Sequence, residues 1–222
     1  MPGLLALCAL PLLLLAAGGP WTILPLGDSI TAGSPDFVCY RGPLARRLAA
    51  SGLRTRFVGS RHNAGEPEEM RHEGYGGKSV EFLAENIEWL YQANPADVIL
   101  LHAGHNHFME ERPVPGIVSA TESIIATARR INPRVIVLLA QVIPSGKLPK
   151  YAYIPDLNRE LARLAARLHT AKQPVVLVDQ ASGFHFQTDT IADLVHPNSA
   201  GAEKMAARWY DALLAALPAT SR

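Results

Sequence analysis

Two short stretches carry residues whose types and spacing suit covalent chemistry: Gly27-Asp28-Ser29-Ile30-Thr31 near the start, and Asp193-x-x-His196 near the end. A serine hydroxyl is a weak nucleophile until an imidazole accepts its proton. That imidazole must present one tautomer, and a carboxylate on its other ring nitrogen fixes the choice. Asp193 stands three residues before His196 and can reach the ring within a single turn of chain. The expectation is that Asp193 orients His196 and that His196 activates Ser29. Each residue alone has a plainer use. A serine before a helix is commonly a cap, and His196-Pro197-Asn198-Ser199 suits a turn that opens a final helix.

Acyl transfer also needs hydrogen-bond donors where the tetrahedral oxyanion forms. The backbone N–H of Ser29 is one candidate. A glycine N–H from the Gly74 to Gly77 region is a second, and the carboxamide of Asn106 in Gly104-His105-Asn106 is a third. The glycines would serve equally in a turn needing positive φ, and Asn106 as a loop cap. His102, His105 and His107 form a His-x-x-His-x-His string, and imidazole is a common zinc ligand. His102 falls inside a predicted strand, where its side chain can point away from the loop, so no metal is expected, and serine chemistry calls for no cofactor.

The elements that must position these groups alternate regularly. Apolar runs at 21–26, 54–58, 98–103, 135–140 and 175–178 read as strands. Between them lie residues at helical spacing. A helix over 43–50 stops at Gly52. One capped by Ser79 carries Val80, Leu83, Ile87, Leu90 and Tyr91. Others carry Ile117, Ile124, Ala128 and Ile131; Leu157, Leu161, Leu164 and Leu168; and Ala202, Met205, Ala206, Trp209 and Leu213. Residues 59–78 have no period and read as a long loop. Strands without polar alternation are buried on both faces, which predicts an α/β fold: a three-layer α/β/α sandwich on a five-stranded parallel sheet in the flavodoxin-like order 2-1-3-4-5. Ligands of such sheets bind beyond the carboxyl ends of the strands. Every candidate residue falls there.

The 222 residues suit one domain, and a net charge of +1 with scattered Arg and Lys supplies no basic patch for nucleic acid. Residues 3–17 are apolar but short for a bilayer span, with small residues at Ala16 to Gly19. They read as a secretory signal peptide over 1–19, followed by a single domain over 20–222 and a secreted or periplasmic location, although no basic residue precedes the run. The mature chain then has no stable membrane span. Cys39 would be its one cysteine, so no internal disulfide is expected.

Gly-Asp-Ser, a glycine block, Gly-x-Asn and Asp-x-x-His, in that order over roughly residues 21–217, resemble the SGNH (GDSL-type) hydrolase superfamily. Arg56-Phe57-Val58-Gly59-Ser60 and the block at 71–79 are similar, more narrowly, to carbohydrate esterase family three, which includes acetylxylan esterases. The resemblance implies Ser29 as nucleophile, Asp193 and His196 as acid and base, and an oxyanion hole from Ser29, Gly77 and Asn106, with Gly76 a weaker choice than Gly77. It implies a serine esterase acting on O-acetyl groups of a small or polymeric carbohydrate through an acyl-enzyme. The alternatives are a lysophospholipase-like lipid or thioester hydrolase on the same scaffold and a non-catalytic glycan-binding protein. One departure stands out: His107 occupies the position where the family usually has Asp. Tyr40, Tyr75, Phe108, Tyr151 and Tyr153 are candidates to line a cleft, or else to pack the core.

Overall fold

The structure, a computed structural model, describes residues 19–64, 66–67 and 69–217. Among the described residues six strands run in chain order as β1 (Trp21–Gly27), β2 (Thr55–Phe57), β3 (Glu73–Gly74), β4 (Val98–His102), β5 (Ile136–Gln141) and β6 (Val175–Asp179). The helices are α1 (Ser29–Ala32), α2 (Arg41–Ala50), α3 (Val80–Ala93), α4 (Val114–Ile131), α5 (Ile154–Leu168), α6 (Phe186–Asp189) and α7 (Ser199–Ala216), with a short 3-10 turn at Met109–Glu111. The strands form one parallel sheet in the order β2-β1-β4-β5-β6, with β3 also paired to β1. The five principal strands therefore take the expected order, and the fold is the expected three-layer sandwich.

The long loop expected at 59–78 is interrupted. β2 pairs with the first half of β1, the chain leaves the sheet, and β3 returns to pair with the last two residues of β1, Leu26 and Gly27. A two-residue strand has no period to detect. It is held by polar contacts instead: the buried Glu73 carboxylate accepts from Ser60 N (2.5 Å), Ser60 Oγ (3.0 Å), Tyr75 Oη (2.7 Å) and Asn94 Nδ2 (3.2 Å).

Alternate residues of each strand serve opposite faces, as the pleat requires. Leu24, Leu26, Ile99, Leu101, Val137 and Leu139 pack under α3, α4 and α5. Ile23, Val98, Leu100, Ile136 and Leu138 pack under α2 and α7, with Leu44, Leu48, Met205, Trp209 and Leu213. Burying each large apolar side chain contributes about 1.5–3 kcal/mol. Side-chain caps fix where helices begin. Ser79 Oγ accepts from Phe82 N, and Asn198 Oδ1 accepts from Ala200 N (2.9 Å) and Gly201 N (3.1 Å).

The expected leader lies, except for Gly19, outside the described residues, as does Cys8. Cys39 is buried and unpaired, with its thiol directed at the Ile30 and Thr31 carbonyls. Among the described residues no helix is long and apolar enough to cross a membrane.

Trp209 is fully buried at the centre of the α2/α7 face. Trp209→Ala is expected to cost about 3–5 kcal/mol of unfolding free energy, read from the denaturant midpoint. An unchanged midpoint would mean that α7 does not hold that face.

Candidate active site

The site starts from a constraint on β1. A Cβ on Gly27 would collide with the His102 carbonyl and the Thr31 side chain, so the strand can turn sharply only without one. Asp28 follows, and its Oδ1 accepts from Ile30 N at 3.0 Å, which caps α1. Ser29 is thereby presented at the first position of that helix, half-buried, at the carboxyl edge of the sheet. Asp193 and His196 arrive from the segment between α6 and α7 at the same edge.

Ser29 Oγ lies 2.8 Å from His196 Nε2, and His196 Nδ1 lies 2.5 Å from Asp193 Oδ2. The carboxylate accepts only, so the ring proton belongs on Nδ1 and Nε2 is free to accept from the serine. The other oxygen of Asp193 accepts from Val195 N (2.9 Å) and His196 N (3.0 Å). Burial works against the charge on Asp193, but these hydrogen bonds with His196 and Val195 outweigh it and hold the carboxyl below its usual range.

Gly77 and Asn106 come from the loops after β3 and β4. Gly77 adopts a φ of 73°, the left-handed region that glycine enters at little cost. Among the described residues the N–H groups of Ser29 and Gly77 donate to no protein acceptor. Asn106 also has a left-handed φ, 69°, and one of its amide hydrogens is donated to the Lys78 carbonyl at 3.0 Å. That bond leaves its second amide hydrogen for a ligand. Gly76 lies nearer Ser29 than sequence order suggests, since a Cβ on it would stand 3.9 Å from the serine Cβ.

His107, at the position where the resemblance implied an Asp, also anchors this loop. Its Nδ1 meets the His105 carbonyl at 3.1 Å and its Nε2 meets a Glu81 carboxylate oxygen at 2.8 Å. The loop after β4 is thus tied to the first turn of α3 by an imidazole.

Beneath the serine lies a buried group to which sequence reading assigned no role. Asp28 Oδ2 faces His105 Nδ1 at 3.8 Å, and both side chains are almost fully buried. Burial opposes the charge of Asp28, yet His105, His102 and the Ile30 N–H together keep its carboxyl below the usual aspartate range. Burial pushes His102 down to about 4, so its ring is neutral. Among the described residues no three His, Cys, Asp or Glu side chains are grouped to hold a metal.

Two further contacts had no sequence signal. Phe37 stacks on His196, with ring centroids 4.2 Å apart and planes inclined by 23°. The Leu194 carbonyl accepts from Ser145 Oγ (3.0 Å) and Gly146 N (2.9 Å), which pins a residue at φ 60° between Asp193 and His196. Such a backbone persists in a non-glycine residue only when its surroundings hold it. Of the aromatics considered for a cleft, Tyr40, Tyr151 and Tyr153 are instead buried in the core. Phe108 is exposed, with Lys150 Nζ 4.4 Å from its ring centroid.

Comparison with known proteins then supplies relatives. A family model described as GDSL-like lipase/acylhydrolase matches residues 26–204. No curated protein sequence matches significantly. Among solved structures, a carbohydrate esterase family 3 protein from Talaromyces cellulolyticus superposes with a TM-score of 0.77 at 27% identity, covering 88% of this chain and 97% of that one. A serine-to-alanine mutant of an acetyl esterase, solved with acetate ion, also gives 0.77, at 26% identity over 88% and 97% of the two chains. A family 3 carbohydrate esterase from Clostridium thermocellum gives 0.74, at 26% identity over 88% and 96%.

The Asp193 contacts have a measurable consequence. Its carboxyl carbon, followed by NMR, is expected to titrate below 3.8, and to move back toward that value in His196→Ala. Because the folded value is depressed, the associated stability is present above the unfolded value and is lost as pH falls through the folded one. An ordinary Asp193 titration, unmoved by His196→Ala, would contradict the hydrogen bond.

Proposed function

Because the chain belongs to the GDSL-like lipase/acylhydrolase family and is a carboxylic ester hydrolase, we propose that it removes acetyl and other short acyl groups from carbohydrates such as acetylated xylan. The observation that carries the chemistry is the Ser29 to His196 contact of 2.8 Å, backed by Asp193. The likeness to two family 3 carbohydrate esterases over 88% of the chain supports the substrate class.

In this mechanism Ser29 Oγ attacks the ester carbonyl carbon as its proton passes to His196 Nε2. The carbonyl oxygen becomes an oxyanion held by the N–H groups of Ser29 and Gly77 and the free amide hydrogen of Asn106. Collapse breaks the bond to the sugar oxygen, which takes the proton from His196. Water then attacks the acyl-serine, gives its proton to the same nitrogen, and releases acetate with Ser29 restored. Asp193 stays ionised throughout and stabilises the imidazolium. The reaction calls for no cofactor.

The same reading treats residues 1–19 as a leader and 20–222 as one hydrolase domain working outside the cytoplasm, where such polymers are met. A second reading, a lipid or thioester hydrolase, draws on exposed Phe108, Met109 and Leu194, which flank Asn106 and Asp193 in sequence. Aryl esters of increasing acyl length separate the two. A steep fall beyond acetate and propionate supports the first, and a rise supports the second.

The direct test is acetate release from acetylated xylan by the wild type beside Ser29→Ala. The variant is expected to lose about 10³-fold or more in kcat while keeping its fold. Near-normal turnover in the variant would end the assignment. The rate is also expected to fall with one-proton dependence as pH drops. An imidazolium cannot accept the serine proton, which gives the rate its acid limb. A flat rate through the acidic range would remove His196 from the base role.

A further inference from the structure

The oxyanion donors and the base divide the surroundings of Ser29 into two sides. The leaving alcohol must receive its proton from His196 Nε2, so the body of the alcohol lies on the His196 side. What stands on that side is Phe37, stacked against the His196 ring at 4.2 Å. Phe37 also lines a cavity of about 350 Å³ together with Gly33, Ser34, Pro35, Asn63, Ala64 and Glu66. That volume falls in the ~300–1,000 Å³ range of small-molecule sites.

We propose that this cavity is a leaving-group subsite that receives a neighbouring sugar ring of the esterified carbohydrate, extending the function proposed above. The lining combines two chemistries. Ser34, Asn63 and Glu66 offer a hydroxyl, a carboxamide and a carboxylate, suited to sugar hydroxyls. The rings of Phe37 and Pro35 offer apolar faces, suited to the C–H face of a pyranose. A fatty acyl chain would call for a continuous apolar wall, and here Ser34, Asn63 and Glu66 interrupt the apolar stretch of Pro35, Phe37, Cys39 and Ala64.

The cavity is also built rather than incidental. Arg41, fully buried, holds the lining residue Glu66 in place. It donates to the carbonyls of Thr31 (2.9 Å), Ala32 (2.8 Å) and Met70 (2.6 Å), and to both carboxylate oxygens of Glu66 (2.9 and 3.1 Å). Asn63 Nδ2 donates to the Ala32 carbonyl at 2.7 Å. Both walls are thereby fixed to the end of α1, the helix that carries Ser29. At Gly33, with φ 76°, the walls approach so closely that a Cβ would stand 3.0 Å from that of Cys39 and 3.3 Å from the Asn63 amide. On the other side, Val38 N donates to the Pro197 carbonyl at 3.3 Å, joining the Phe37 loop to the turn that carries His196. A sugar seated here therefore has a fixed relation to both nucleophile and base.

The test fills the cavity from its exposed rim. Ala64→Trp should leave hydrolysis of 4-nitrophenyl acetate within about two-fold of wild type and cut kcat/KM for acetylated xylo-oligosaccharides by about ten-fold, mostly through KM. Ser34→Ala, which leaves the cavity open, should act in the same direction with a smaller factor, so the outcome does not depend on how one bulky side chain packs. If both variants match wild type on both substrates, or if both substrates fall together, the subsite assignment is wrong and the carbohydrate reading is untouched. If the wild type cleaves the aryl acetate but no acetylated oligosaccharide, the carbohydrate reading fails and takes this proposal with it.

Discussion

One hydrogen bond of 2.8 Å joins side chains 167 residues apart, Ser29 and His196, and the parallel sheet is what lets it form. When all strands point the same way, every segment that follows a strand emerges at one edge. The turn after β1, the loops after β3 and β4 and the segment after β6 are thus delivered to a shared surface. The apolar strands and the helices packed on both faces hold these ends in register. Their bulk stabilises an arrangement whose working part is only a few atoms wide.

The loops at that edge are tied to one another rather than left to solvent. Asn106 reaches Lys78, and His107 reaches Glu81, so the loop after β4 is fixed to the start of α3. Ser145 and Gly146 grip the Leu194 carbonyl. Arg41 gathers the end of α1 and the segment after β2 on one guanidinium, whose five donors in a rigid fork suit such a junction. Asn106 and Leu194, both non-glycine residues with positive φ, stand at this edge with Ser29, Asp193 and His196. Their neighbours must supply what holds them in that conformation.

The sequence made the principal strands and helices readable because each is long enough to repeat its pattern several times. The strand ends fall within one residue of expectation, and the helix expected at 43–50 within two. α2 starts at Arg41 rather than residue 43, and β4 ends at His102 rather than residue 103. Elements shorter than one repeat were not legible: β3, α1, α6 and the turn at Met109–Glu111. The aromatic residues stayed open between cleft and core for a related reason, since a tyrosine's identity does not say which face it occupies. Tyr151 and Tyr153 take the core alternative, packing against each other and against His105 and His107.

The order of amino acids alone determined the alternation of strand and helix, the parallel sheet it implies, and the identity of Ser29, Asp193 and His196 as groups able to act together. These follow from periodicity and from functional-group chemistry, both of which are local properties of the chain. Only the tertiary structure decided that Phe37 lies on the His196 ring, that an imidazole at His107 ties the Asn106 loop to Glu81, that Asp28 faces buried His105, and that Phe37 also borders a cavity whose Glu66 wall is held by Arg41. Each of those is a contact between residues with no shared pattern. Such contacts are set by how packed elements come to rest, and no spacing along the chain encodes them.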